Sequence, residues 1–192
     1  MCSIGCIGMG LTDRAYRKDE KINGIIYDMS PSPDFRHSFV NNNINTIIKQ
    51  GLADSLCFVF MENLDYCYHP DINDDYVCPD VMVVCDRKKL KGSFYCGVPK
   101  FIAETLSPST AKRDRTVKKD IYEKAGVEEY WIVSPQGSVE IYYLKDGKYV
   151  LEQSYMLQDD EELEAYNADE VICLKAFPHI KMKLSDIFAD VN

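Results

Sequence analysis

Two acidic residues stand where the sequence predicts buried strands. Asp80 follows Pro79 directly before the apolar run at residues 81–85, and Glu104 lies inside the apolar run at residues 100–106. Two carboxylates at adjacent strand ends would form an oxygen-rich site suited to Mg²⁺ or Mn²⁺. A single carboxylate inside an apolar strand is costly to bury unless it is paired or bound to metal. These acids therefore indicate a metal centre that could hydrolyse phosphodiesters.

The segment that follows the second acid supplies cations. Hydrophobic periodicity predicts a helix over residues 111–125, and Lys118 shares one face of it with Asp114 and Tyr122, four residues away on either side. An amine at this position could offset the charge that develops on a phosphate in the transition state. Lys119 is the competing candidate, although it points about 100° away around the helix.

Two further groups could complete the site. The backbone carbonyl of Thr105 would add a neutral oxygen ligand for the metal. Glu20 lies on a predicted hairpin around Asn23-Gly24, and it could orient the attacking water or support a second metal ion. We interpret His37 as a structural hydrogen-bonding residue rather than a general base. Tyr122 and Trp131 are expected in the core.

The elements that must position these residues follow an α/β pattern with a mixed sheet, flanking helices and added β-hairpins. A helix between two apolar strands implies a parallel strand pair. Residues 65–78 are polar and tyrosine-rich and indicate a loop or meander. Ser185 is a candidate cap for a final short helix. The predicted elements are a hairpin at 20–27, a helix at 37–49, strands at 56–60, 81–85, 100–106 and 129–133, a hairpin formed by 139–144 and 148–151, and a strand at 171–176.

Charge is unevenly distributed along the chain. The net charge is −9, but residues 151–170 carry eight acids and no base, so the remainder is close to neutral. Basic residues cluster at 87–91 and at 107–125. Either basic cluster alone is most simply a solvated surface. Because each follows a proposed catalytic acid, the two together predict a surface that faces phosphate, with the acidic stretch on the opposite side.

The size and the cysteines limit the class of protein. The 192 residues predict one domain over 1–192, with residues 1–17 as an extension, and no apolar run is long enough to span a membrane. The cysteines show no metal-ligand spacing, and most lie in apolar stretches, so we expect reduced core residues in a cytoplasmic protein. They are Cys2, Cys6, Cys57, Cys67, Cys78, Cys85, Cys96 and Cys173.

These motifs together resemble the Uma2 family. The resemblance covers roughly residues 18–190, and it is carried by Pro79-Asp80, the run from Glu104 to Thr110, the helix with Lys118, and the segment at 125–133. It implies a restriction-endonuclease-like fold of the PD-(D/E)xK type and a metal-dependent endonuclease using Mg²⁺ or Mn²⁺. DNA is then a more expected substrate than RNA. Cutting both strands is simplest with a twofold dimer, so we also expect a homodimer.

The chain departs from the wider nuclease pattern at one position. Leu106 occupies the place of the lysine in the (D/E)xK motif. The resemblance places this lysine on the following helix instead, which indicates Lys118, and the long lysine stem could reach the same site. An alternative is a non-catalytic binding or regulatory protein that keeps the scaffold. The presence of Glu20, Asp80, Glu104 and Lys118 together favours the enzyme.

Overall fold

A six-stranded mixed sheet lies at the centre of the molecule. The computed structural model describes residues 19–29, 34–157 and 168–191. In chain order the elements are β1 (Asp19–Ile22), β2 (Ile25–Asp28), α1 (Phe35–Gly51), β3 (Phe58–Met61), β4 (Asp65–Tyr66), β5 (Val81–Val84), a 3₁₀ turn (Arg87–Lys89), β6 (Leu90–Lys91), β7 (Phe94–Tyr95), β8 (Phe101–Thr105), α2 (Ala111–Arg113), a π-helical turn (Asp114–Lys118), α3 (Lys119–Ala125), β9 (Glu129–Ser134), β10 (Ser138–Lys145), β11 (Lys148–Met156), β12 (Val171–Cys173), β13 (Lys181–Lys183) and α4 (Leu184–Ile187).

The central sheet has the strand order β11-β10-β9-β8-β5-β3. Strands β8 and β9 run parallel, and the other neighbours in this sheet run antiparallel. The helical segment at 111–125 connects the two parallel strands, so the predicted crossover and the mixed sheet are confirmed. Strands β5 and β8 are neighbours, with Val81 opposite Ala103, which brings the start of one strand beside the end of the other.

Alternate residues of the central strands face two separate hydrophobic clusters. Val81, Ala103 and Trp131 pack with α1 and α4 on one side of the sheet. Met82 and Ile102 pack with α3 and the small sheet formed by β4, β7 and β6 on the other side. Because side chains alternate along a strand, consecutive residues at the end of β8 project to opposite faces, which allows one strand end to contact helices on both sides.

Helix α1 carries its buried side chains on one face, at 37, 40, 41, 44 and 48. The Asp34 side chain accepts a hydrogen bond from the Arg36 N–H at its N-terminus. Two of the buried residues, His37 and Asn41, are polar and lie one turn apart near the start of the helix. The apolar part of the stripe therefore fixes the helix against the sheet, and its N-terminal turn presents polar groups to the strand ends.

The first hairpin was predicted correctly. Asn23 and Gly24 form its turn with φ values of 51° and 75°, as a two-residue turn of this type requires. Lys21 and Tyr76 form an isolated antiparallel bridge, which joins the hairpin to the segment before β5. Glu20 is fully buried as a result of this attachment.

Some boundaries and one cap differ from the predictions. Helix α1 extends two residues beyond the prediction at each end, and β3 starts at Phe58 rather than at 56. Ser185 does not cap α4, because the helix begins at Leu184 and the capping position belongs to Lys183. Residues 158–167 of the acidic stretch lie outside the described residues. Of the described helices, none combines the length and hydrophobicity of a membrane span.

One pair of cysteines contradicts the expectation of reduced thiols. Cys57 and Cys85 form a disulfide, with their Cα atoms 4.0 Å apart. Phe58 pairs with Val84 in the antiparallel ladder of β3 and β5, so the two cysteines lie opposite each other at the next position. Sequence spacing could not reveal this pair because it depends on the register of the two strands. Among the described residues, Cys67, Cys96 and Cys173 are free thiols, and the Cys78 thiol donates to the Glu62 carbonyl at 3.3 Å.

Candidate active site

The candidate site lies where β5 begins and β8 ends. Asp80 directly precedes β5, and Glu104 is the penultimate residue of β8. The ladder between these strands pairs Val81 with Ala103, so the two acids occupy the next opposed positions. Both are buried, with 7% and 1% of their surface exposed. The sequence-predicted acids are thus placed side by side.

Glu104 is held by two side chains from the crossover segment. Its Oε1 atom lies 3.0 Å from the Lys118 amine and accepts a hydrogen bond of 2.5 Å from the Tyr122 hydroxyl. Burial raises the pKa of Glu104 well above its usual value, and the negative charges of nearby acids add to this, although the lysine opposes it. The site therefore holds more negative charge than its one lysine balances.

Lys118 is buried among three carboxylates. Its Nζ atom lies 2.8 Å from Glu20, 3.0 Å from Glu104 and 3.6 Å from Asp114, and only 2% of the side chain is exposed. Burial lowers the pKa of the amine, but the surrounding carboxylates outweigh that effect and raise it well above its usual value. The amine is therefore held as an ammonium ion in direct contact with Glu104.

The π-helical turn carries this lysine and one of its partners. Asp114 begins the turn and Lys118 ends it. Such single turns widen a helix locally and are frequent at functional sites. Asp114 Oδ1 is buried and, within the described part of the chain, accepts no hydrogen bond. Its contact with the amine at 3.6 Å is thus a charge interaction without a direct hydrogen bond.

Glu20 reaches the site from the first hairpin. Its Oε1 accepts a hydrogen bond from the Cys78 N–H and contacts Lys118, and its Oε2 contacts the Arg113 guanidinium at 3.3 Å. Arg113 also stacks over the Tyr27 ring. Both oxygens of Glu20 are thus engaged by protein groups, and they anchor the lysine to the hairpin.

Asp80 is ordered by groups from the opposite side of the sheet. Its Oδ2 accepts the Thr105 backbone N–H at 2.8 Å and lies 3.1 Å from His37 Nε2. Burial works to raise the pKa of Asp80, but His37 and the charge of Lys118 outweigh this and lower it. Burial in turn works to lower the pKa of His37, but its contacts with Asp80 outweigh that effect and raise it.

Asn41 and Glu62, which no sequence motif indicated, form a polar network around this aspartate together with His37, the residue interpreted above as a structural hydrogen-bonding residue. Asn41 Nδ2 donates to Glu62 Oε1 at 2.9 Å and lies 3.2 Å from His37 Nδ1. The Thr105 hydroxyl donates to Asn41 Oδ1 at 2.6 Å. The polar pair His37 and Asn41, one turn apart on the apolar face of α1, was the available signal. Glu62 gave no such signal, because it follows a short strand in an ordinary polar stretch.

The competing lysine and two other members of the basic clusters contact different partners, away from Glu104. Lys119 is not the lysine that contacts Glu20, Glu104 and Asp114. Its amine lies 3.7 Å from the centre of the Tyr142 ring. In the cluster at 107–125, Arg115 pairs with Glu140. In the cluster at 87–91, Arg87 stacks over Phe58. Five of the eight acids in the stretch at 151–170 lie outside the described residues, so its position opposite the site stays a prediction.

Similarity to known proteins identifies the family of this chain. The family model of Uma2, described as "Putative restriction endonuclease", matches residues 11–170. This chain belongs to the Uma2 family. An uncharacterised protein of Synechocystis sp. is 28% identical over 155 residues, which is 80% of each chain.

A solved structure has the same fold as this Uma2 protein. It is the crystal structure of a "putative nuclease belonging to DUF820" from Anabaena variabilis, with a TM-score of 0.68 and 17% identity over 91% of each chain. The predicted family and the restriction-endonuclease-like α/β fold are therefore confirmed. Family membership supports a nuclease as the general class of activity.

Proposed function

We propose that this protein is an endonuclease that depends on Mg²⁺ or Mn²⁺ and hydrolyses phosphodiester bonds, with DNA as the favoured substrate. The observation that carries the proposal is the buried ammonium of Lys118, 3.0 Å from Glu104 and beside the strand end that bears Asp80. A buried cation among carboxylates at a strand end is a costly arrangement. Catalysis on a charged substrate gives a reason to keep it.

The donor set fits a hard divalent cation. Among the described residues, hydrogen bonds to the side-chain carboxylate of Asp80 all use Oδ2, and those to the carboxylate of Glu104 all use Oε1. One oxygen of each carboxylate is thus available as a ligand, and the Thr105 carbonyl is our proposed third donor. Oxygen ligands of this kind suit Mg²⁺ and Mn²⁺. Burial, with a further contribution from nearby acids, raises the pKa of Glu104, and a bound cation would favour its ionised form.

Each chain residue then has a distinct role. A bound divalent cation would polarise the phosphoryl group and acidify the attacking water. Lys118 would offset the charge that develops on the phosphate, because its ammonium is fixed and desolvated before the substrate binds. Glu20 and Asp114 would keep that ammonium charged and in position. This assignment gives Glu20 a positioning role in place of the predicted role of orienting the attacking water or supporting a second metal ion.

DNA is favoured because the matching family is described in terms of restriction endonucleases. The basic residues near the site would contact the phosphate backbone, so binding should weaken steeply as salt increases. The single-domain organisation, the homodimer and the cytoplasmic location stay predictions.

The test is a plasmid-nicking assay at low salt with Mn²⁺ on the wild type and on Glu104→Ala. We expect a loss of about 100-fold or more in the variant, because a metal ligand is removed, and complete loss of wild-type activity with a chelator. Glu128→Ala is the matched control, since Glu128 is half-exposed and pairs only with Lys100 among the described residues. Equal nicking by Glu104→Ala, or wild-type cleavage in the chelator, would contradict the proposal and favour a non-catalytic binding protein.

A further inference from the structure

Three metal-ligating side chains converge on the side of Asp80 that faces helix α1. His37 comes from that helix, Glu62 directly follows β3, and Asp80 directly precedes β5. One potential ligand atom from each lies within 4.8 Å of the other two. An ion with ligand distances of about 2.0–2.4 Å can bridge atoms at this spacing.

The cluster is held in shape by its neighbours. The Asn41 amide contacts both His37 Nδ1 and Glu62 Oε1, at 3.2 and 2.9 Å. Thr105 fixes Asn41 through its hydroxyl and Asp80 through its backbone N–H. The backbone N–H of Glu62 donates to the Asp80 carbonyl at 3.1 Å. Supporting hydrogen bonds of this kind orient the ligands of protein metal sites.

The mixed donor set selects among metals. Imidazole nitrogen is a ligand of transition-metal ions, whereas Mg²⁺ is bound through carboxylates, phosphates and water. His37 is buried, but the Glu62 side chain is 22% exposed and gives the cluster a side open to solvent. An ion could therefore enter past Glu62 and meet His37 and Asp80 in the interior.

We infer that His37, Glu62 and Asp80 bind a transition-metal dication such as Mn²⁺, at a position separate from the Asp80–Glu104 site and joined to it through the shared Asp80. The inference rests on the proposed function only through this shared aspartate. The two oxygens of one carboxylate can each serve one ion, and paired ions about 3.5–4 Å apart are a recurrent arrangement in phosphodiester chemistry. The His37 Nε2–Asp80 Oδ2 distance of 3.1 Å fits a simple hydrogen bond as well, so the experiment must detect nitrogen ligation itself.

The experiment is pulsed electron paramagnetic resonance on the full-length protein titrated with Mn²⁺. Modulation from ¹⁴N directly reports an imidazole on the ion. We expect this modulation in the wild type and its loss in His37→Gln. His69→Ala is the matched control, because His69 is one of only three histidines and lies outside the cluster.

Calorimetry gives a second readout that does not depend on cleavage. Loss of His37 or Glu62 should weaken Mn²⁺ binding about tenfold or more, while Mg²⁺ binding changes less. If His37→Gln fails to fold, Glu62→Gln replaces it in the calorimetric test, because the Glu62 side chain is partly exposed and its substitution disturbs the core less.

The outcomes separate this inference from the proposed function. Mn²⁺ bound without ¹⁴N modulation, or with modulation that survives His37→Gln, would overturn the histidine site and leave the Asp80–Glu104 site standing. Absence of any Mn²⁺ binding would overturn both. Modulation that is lost in His37→Gln, with nicking unaffected by Glu104→Ala, would support this site and contradict the nuclease.

Discussion

Two neighbouring strands of the central sheet each carry one buried glutamate, and the two glutamates have different surroundings. Glu104 lies near the end of β8, and Glu129 is the first residue of β9. Because β8 and β9 run parallel, these residues lie towards opposite ends of the sheet. They also face opposite sides of it, since Glu104 meets α3 whereas Glu129 contacts Trp131 on the α1 side.

The two carboxylates are stabilised by different groups. Glu129 accepts hydrogen bonds from the Trp131 indole and the Lys175 backbone N–H, both at 2.8 Å. Burial raises the pKa of Glu129 to about 7, although these hydrogen bonds oppose the shift. Glu104 instead contacts a buried ammonium and lies beside other acids. Glu129 thus ties β9 to the loop between β12 and β13, whereas Glu104 belongs to a charged cluster.

This difference shows that burial alone does not identify a catalytic acid. Both glutamates stand in apolar strands, and both would be costly without partners. What separates them is the kind of partner, because fixed neutral donors can satisfy a carboxylate without creating a site for chemistry. A buried lysine among several acids leaves an excess of negative charge, which a metal cation would balance.

The largest expected effect comes from removing the cation beside Glu104. Lys118→Met leaves Glu20, Glu104 and Asp114 without their shared ammonium, so we expect a loss of about 3–5 kcal/mol in the free energy of unfolding at pH 7. The loss should shrink at pH 4, because protonated carboxyl groups no longer need a cation. Urea unfolding at the two pH values measures it.

Lys119→Met is the matched control for this variant. Its amine contacts the Tyr142 ring rather than the acid cluster, so the change should cost no more than about 1 kcal/mol. Similar losses in the free energy of unfolding for the two variants would show that the buried acids do not depend on the Lys118 ammonium.

The sequence could predict the strand ends and the helix face, but not the partners across the sheet. The acids, the crossover helix and Lys118 followed from local periodicity and from motifs along the chain. His37 was interpreted as a structural hydrogen-bonding residue, but its partner Asp80 could not be predicted, because the two meet only through tertiary packing. The same packing brings Asn41 and Glu62 to the site, and for Glu62 the spacing along the chain gave no signal. Glu129 looked like an ordinary strand residue, and its partner at Lys175 is 46 positions away.

Glu129 should have a smaller effect, which appears as a dependence of the free energy of unfolding on pH. Its folded pKa of about 7 lies above the ordinary 4.5, so its stabilising contribution is fully present below pH 4.5 and is lost as the pH rises through 7. Integrating this shift gives about 3 kcal/mol across the window. In Glu129→Gln the dependence disappears, so the wild type should lose stability relative to the variant between pH 4.5 and 8.

Denaturant unfolding across that pH range tests the prediction. Nicking activity at pH 6, with folding checked by circular dichroism, should stay close to that of the wild type, because Glu129 is remote from the acid pair. Parallel pH curves for the two proteins would show that Glu129 does not titrate in this range. A loss of nicking as large as that of Glu104→Ala would remove the distinction between the two glutamates.

The smallest effect concerns the hydroxyl group that supports Glu104. Tyr122→Phe removes the 2.5 Å hydrogen bond to Oε1, which should cost about 1.5–3 kcal/mol of stability because the acceptor carries charge. A hydroxyl that donates to a carboxylate favours its ionised form, so without it the pKa of Glu104 should rise further. The acidic limb of the pH–nicking profile should then move to higher pH, while Mn²⁺ loading at high pH is preserved.

Tyr130→Phe is the control, since the Tyr130 hydroxyl donates to the Asp114 carbonyl rather than to a carboxylate. That variant should lose about 1 kcal/mol in the free energy of unfolding and keep the wild-type pH profile of nicking. A profile that moves equally in both variants would assign the shift to general loosening of the core, and a profile unmoved by Tyr122→Phe would mean that this hydroxyl does not set the ionisation of Glu104.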